Sequence, residues 1–129
     1  MKQDIQNKDD IKLMVDTFYG KVQQSPILGF IFDDIAKVDW DTHLPHMYKF
    51  WGGILFAENE FRGNPMIKHI LLSKKTEMDE LQFDEWLRLF TETVEDLFEG
   101  ARAEEAIKRA NMIAKAFLFN INQAAANGF

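Results

Sequence analysis

The chain contains no cysteine, which excludes disulfides, a thiolate nucleophile and an iron–sulfur cluster. Proline is scarce, with Pro26, Pro45 and Pro65 the only instances, and each reads as a break or a helix start. Positive charge is in the minority: 15 Lys and Arg against 21 Asp and Glu give a net charge of −6. Nonspecific binding to nucleic acid or to an acidic membrane is therefore not expected. No apolar run is long enough to span a bilayer. The opening Met1-Lys-Gln-Asp-Ile-Gln-Asn-Lys-Asp-Asp10 is too polar for a signal peptide. The expectation is a soluble cytoplasmic protein. Internal repeats, low-complexity tracts and linkers are absent too, and 129 residues suit a single domain over 1–129.

Aromatic and thioether side chains are what the chain has in plenty. Twelve Phe, three Trp and six Met contribute to an apolar fraction of 47%. A well-packed helical core accounts for this, and on composition alone is the better explanation. The other explanation is a flat apolar ligand held among those side chains.

Alternating strand patterns are almost missing, and apolar positions recur at helical spacing. Ile11, Met14, Val15, Phe18 and Val22 mark a first helix at roughly 8–24, broken by Ser25-Pro26. A turn or distorted helix follows over Ile27–Phe32. Asp39 is a candidate N-cap. Because Pro45 fits best in a first helical turn, a regular helix is predicted over about 44–56 after a looser entry. Met47, Phe50, Trp51, Ile54 and Leu55 form its stripe. Pro65 starts a short helix carrying His69, and 73–80 reads as loop. Phe83, Trp86, Leu87, Phe90, Val94 and Leu97 define a helix at about 81–98, ended by Gly100. A last helix spans about 103–124, with Ala106, Ile107, Ala110, Ile113, Ala114, Phe117 and Ile121 inward. Four such stripes require two antiparallel helix pairs.

Among three histidines, His69 is placed between two aromatic helical segments. A neutral imidazole facing a cavity of Phe, Trp and Met is how an all-helical protein commonly holds haem iron. Its commoner fate is to cap a short helix or sit half-exposed. Tyr19 lies beside the first apolar stripe, where its hydroxyl could face solvent, a core acceptor or a bound ligand. Trp86 offers an indole N–H, a donor only, and packs the core if it has no further role. His43 shares a face with Met47 and Phe50 if helical phase extends back that far; otherwise it is a surface residue, as His46 is expected to be. His-Glu-x-x-His spacing, phosphate loops and nucleophile elbows do not occur.

The motifs Phe18-Tyr19-Gly-Lys-Val22, Leu28-Gly-Phe-Ile-Phe32 and His43-Leu-Pro-His-Met-Tyr-Lys-Phe-Trp51 come in a telling order. They continue with Gly63-Asn-Pro65, His69, Phe83-Asp-Glu-Trp-Leu-Arg-Leu-Phe90 and Arg109-Ala-Asn-Met-Ile-Ala114. Taken together they resemble the truncated haemoglobins, specifically their third group, over nearly the whole chain. The resemblance implies an all-α, globin-like, truncated two-over-two helical sandwich enclosing haem b. It implies His69 as the proximal iron ligand, with Tyr19, His43 and Trp86 on the distal side. Phe32 would pack on the haem face, and Phe50, Trp51, Phe61, Met66 and Phe83 would line the pocket. Lys68 would reach a propionate. Phe30 replaces a proline that many relatives carry, and Phe61 replaces an aromatic hydroxyl that often approaches a propionate.

The function implied is binding of O2 and other diatomic ligands, with Tyr19 and Trp86 as hydrogen-bond donors. Donors of this kind slow dissociation, which suits redox or detoxification chemistry with nitric oxide or peroxide better than O2 transport. Dioxygenase or peroxidase-like turnover would need an unidentified electron donor. Carbon monoxide is expected to bind as well, and the chain is expected to be a monomer. The competing reading is a haem-free helical interaction module.

Overall fold

A computed structural model describes residues 2–58, 69, 73, 75–76 and 78–126. The described residues form four α-helices: α1 (Lys8–Gln24), α2 (Trp40–Phe56), α3 (Glu80–Leu97) and α4 (Ala101–Ala126). A π-helical turn, Ile31–Ile35, joins α1 to α2. His69 and Ser73 also have helical backbone. No strand occurs among the described residues, and none of their helices is long and apolar enough to cross a membrane.

Local sequence chemistry starts three of the helices. Asn7 accepts from the Asp10 amide at 3.0 Å, and Asp39 accepts from the Asp41 amide at 3.2 Å. Asp79 accepts from the Leu81 amide at 3.1 Å, while Gln82 reaches back to the Asp79 amide at 2.9 Å and closes a capping box. The predicted loose entry to α2 is corrected here, because the helix is regular from Trp40, with Pro45 inside it. Two features hold this first turn: Thr42 Oγ1 donates to Asp39 Oδ2 at 3.0 Å, and the Trp40 and His43 rings are packed inward. A proline this near the N-terminus removes one amide donor and leaves the rest of the ladder intact. The far end of α2 turns on Ala57 in the left-handed region (φ 57°), a conformation usually left to glycine.

Helix α1 packs against both α2 and α3, α3 against α4, and α2 more lightly against α4. The stripe Ile11, Met14, Val15, Phe18 and Val22 is fully buried, as are Phe90 and Val94 of α3. Ala106 and Ala110 face the same core from α4, and their small side chains permit close approach. Lys12 and the Tyr48 hydroxyl both donate to Asp16, tying α1 to α2 on the outside.

The fourth helix is capped from the other end of the chain. Gly100 precedes α4 and has no side-chain oxygen to offer. Asp4 supplies it instead, Oδ2 accepting from the Arg102 amide and Oδ1 from the Ala103 amide, each at 2.9 Å. A Cβ on Gly100 would lie 2.6 Å from Asp4 Cγ, and its φ of 147° suits only glycine. Ile5 is consequently drawn fully into the core. Burial works against the Asp4 carboxylate. The amide hydrogen bonds from Arg102, Ala103 and Ile5, with the Arg102 charge, outweigh it and hold its pKa below the usual carboxylate value.

Asp4→Ala is expected to cost roughly 1–2 kcal/mol in urea unfolding, as for loss of a helix cap. A carboxylate with a lowered native pKa contributes stability above its unfolded pKa. It loses that contribution as pH falls through the native value. The parent should therefore weaken in acid more steeply than Asp4→Ala. Equal stability and equal acid slopes would mean that the cap contributes nothing.

Candidate functional site

Neighbours on a helix point about 100° apart, so Phe18 and Tyr19 face different spaces. Phe18 enters the core, 1% exposed. Tyr19 turns toward the start of α2 and the π-helical turn, where Phe32, Trp40 and His43 meet it. Its ring centroid lies 6.0 Å from Phe32, 5.5 Å from Trp40 and 5.2 Å from His43. Phe32 and Trp40 stack at 5.8 Å, and Trp40 meets His43 edge-on at 5.6 Å. The turn that carries Phe32 is set by close backbone approach. A Cβ on Gly29 would lie 2.6 Å from the Gln23 carbonyl oxygen, so the Leu28-Gly29 pair admits no larger residue.

Trp86 stands on the other side of Phe18, at 5.6 Å and edge-on. It stacks on Phe90 at 5.7 Å; Trp51 stacks on the same ring at 4.8 Å. Trp86 packs against the main core and also against a second apolar group formed by Phe83, Ala114 and Ile121, with Phe117 and Leu118 beside them. His69 belongs to this second side, its imidazole 4.5 Å from the Phe117 ring. Tyr19, Phe32 and His43 thus lie together, His69 and Phe83 lie on the second side, and Trp86 packs on Phe18 and Phe90 of the main core as well as on the second group. Phe50 is half-buried and edge-on to Trp51 at 5.6 Å. Phe61, Met66 and Lys68 fall outside the described residues.

Trp40 and Phe117 are the site neighbours that sequence reasoning did not assign. Trp40 sits three residues before His43 on one helix face. Starting the helix at residue 44 hid that phase. Phe117 was recognisable as an inward residue, but nothing in its spacing pointed to His69.

A buried phenol costs more to ionise than an exposed one. For Tyr19, burial alone raises the pKa far above the ordinary tyrosine value, with neither a charge nor a hydrogen bond contributing. The hydroxyl is an O–H donor set among the rings of Phe32, Trp40 and His43. His43 Nε2 is likewise buried. One side of the site thus offers polar atoms for a small ligand. The other offers an imidazole beside the Phe117 ring, suited to a flat apolar group with a metal at its centre.

The frame around Trp86 has its own anchor. Ser25, 8% exposed, donates to Glu85 Oε2 at 2.9 Å, and its Oγ accepts from the amides of Ile27 and Leu28 at 3.2 Å each. Arg88 Nε donates to the other Glu85 oxygen at 2.9 Å. The hydrogen bond from Arg88 is the leading reason that the Glu85 pKa lies below its usual value; burial opposes it and the Ser25 bond assists. The turn after α1 is so fixed to the residue preceding Trp86.

No protein-family model matches the chain. A curated relative from Campylobacter jejuni, "Group 3 truncated hemoglobin ctb", is 30% identical over 120 residues, which are 91% of this chain and 92% of the relative. Among solved structures, a group III truncated hemoglobin from Campylobacter jejuni superposes with a TM-score of 0.81 at 30% identity. That match covers 94% of this chain and 95% of the other, which makes the fold that of a truncated globin.

Ser25→Ala removes the donor to a nearly buried carboxylate and the acceptor for two amides. It should destabilise the protein by about 1–3 kcal/mol in urea unfolding and alter tryptophan fluorescence through Trp86. Parental stability together with a parental emission spectrum would contradict this anchoring.

Proposed function

The chain belongs to the group III truncated haemoglobins, and on that footing we propose that it holds haem b with His69 as the protein's iron ligand and binds diatomic gases, O2 first. The observation that carries this reading is the Tyr19 phenol. It is buried and ringed by Phe32, Trp40 and His43 from two other elements of the chain. An O–H donor in such surroundings suits a small ligand that accepts a hydrogen bond. Haem, held by His69, would supply an iron able to take such a ligand.

The chain's own residues do the rest. Phe32, Phe83 and Phe117 provide apolar ring surface, and we assign Phe50, Trp51, Phe61 and Met66 to the pocket wall and Lys68 to a propionate. Tyr19 and Trp86 donate hydrogen bonds to the bound gas. Buried or partly buried donors lose less to competing water than exposed ones, so they act mainly by slowing release. His43 acts as a gate on entry. Slow release makes a poor carrier. We therefore assign redox or detoxification chemistry, with nitric oxide or peroxide as co-substrates and an external electron donor. Carbon monoxide serves as a probe ligand. The same reading takes the chain as one monomeric domain of the cytoplasm.

Two expected outcomes follow from these roles. His69→Ala should yield protein with little or no haem after reconstitution, measured by haem content per chain. Parental haem content with an unchanged ferrous spectrum would remove His69 from the iron. Tyr19→Phe and Trp86→Phe each remove a donor and keep an aromatic ring. Each should speed O2 dissociation by roughly ten- to hundredfold in stopped-flow measurements, the worth of a hydrogen bond to a partly charged group. The two effects should fall short of additive, because one small ligand serves both donors. Parental release rates in both variants would contradict the donor assignment.

A further inference from the structure

Trp40, half-buried in the Tyr19 group, is tied to the surface of the π-helical turn. Its indole Nε1 donates to Asp33 Oδ1 at 3.2 Å, at the protein surface. Its ring covers Phe32 by stacking at 5.8 Å, touches Tyr19 at 5.5 Å and stands edge-on to His43 at 5.6 Å. Asp33 belongs to the π-helical turn and Trp40 is the first residue of α2. The connection between them folds back on itself. Ala36 N donates to the Ile31 carbonyl at 2.7 Å and Val38 N to the Phe32 carbonyl at 2.9 Å, with Lys37 in the left-handed region at φ 51°. The chain thus closes a small loop across Asp33 and Trp40.

We propose that Trp40 is a positioning residue for His43, and that its hydrogen bond to Asp33 is a latch that restricts entry of small ligands to the Tyr19 pocket. This rests on the gas-binding reading given above. Trp40 and His43 are three residues apart on one helix, so their side chains lie side by side on one face. With the indole held by Asp33, the Trp40 ring fills the space on one side of the imidazole. With the indole released, that space is free and the imidazole swings with less hindrance. The latch is a single exposed hydrogen bond, weak enough to open often. It is strong enough to bias the open population by roughly two- to tenfold. Asp33 is exposed and holds the Trp40 indole from outside, so the latch governs entry and leaves retention to Tyr19 and Trp86.

The test uses haem-reconstituted protein and carbon monoxide as the probe. Asp33→Ala should raise the carbon monoxide association rate by roughly two- to tenfold, with O2 dissociation near the parental rate; Trp40→Phe should raise the association rate as well. Asp33→Asn keeps an oxygen acceptor and should return association toward the parental value, a rescue that a merely structural role would not give. Asp33→Ala placed on His43→Ala should add nothing, because the latch acts through His43. The carbon monoxide form is diamagnetic, so NMR reads the latch without kinetics: solvent exchange of the Trp40 indole N–H should quicken in Asp33→Ala. Parental association rates in Asp33→Ala, failure of Asp33→Asn to rescue, additivity with His43→Ala, or unchanged indole exchange would each overturn the latch. A parent protein that takes up no haem would overturn the functional reading, and the latch with it. A parent that binds carbon monoxide normally isolates any failure to the latch itself.

Discussion

Phe18 and Tyr19 are consecutive residues on α1 that reach two sides of one core. Phe18 is pinned by edge contacts to Trp86 and Phe90 at 5.6 and 5.2 Å, which fixes the rotation of α1 about its own axis. Once that rotation is set, Tyr19 has one direction left, toward Phe32 and His43. Core packing and site geometry are thus coupled through one peptide unit. A change that turns α1 to suit the core would displace the phenol from its pocket.

Polar anchors at the ends of the elements keep that coupling rigid. Ser25 and Glu85 join the end of α1 to the turn of α3 that bears Trp86. Asp4 binds the start of α4 across 98 residues of sequence and draws Ile5 into the core. Arg102, beside that cap, also donates to the Ile5 carbonyl at 3.2 Å and lies over the Phe56 ring at 4.5 Å. The first residues of the chain, the end of α2 and the start of α4 are therefore joined at one point. Each anchor is a charge-assisted or multiply shared hydrogen bond, the kind that holds direction as well as distance.

Much of this is legible in the sequence. Helical periodicity located α1, α3 and α4 to within about two residues, because each presents a continuous apolar stripe. Asp39 announced α2, but Pro45 drew its regular part to a later start than the structure has. Proline signals a missing donor and says nothing of the tertiary contacts of Trp40 and His43 that hold the preceding turn. The same displacement concealed Trp40 as a neighbour of the site. Asp4 could not be read as the cap of α4, since a cap supplied from the far end of the chain has no local spacing. Ala57 carries no signal either, because alanine in a left-handed cap is chosen by context rather than by propensity. The order of Tyr19, His43, His69 and Trp86 along the chain was the most informative feature, and the family it suggested is the family to which the chain belongs.

The central claim is that this arrangement encloses a haem between the Tyr19 group and His69. Titration of the purified protein with haemin, followed by reduction and addition of carbon monoxide under an absorption spectrometer, tests it most directly. The account predicts saturation at one haem per chain and a Soret band that moves on adding carbon monoxide. A titration that never saturates, or a Soret band no different from free haem under the same gas, would contradict it.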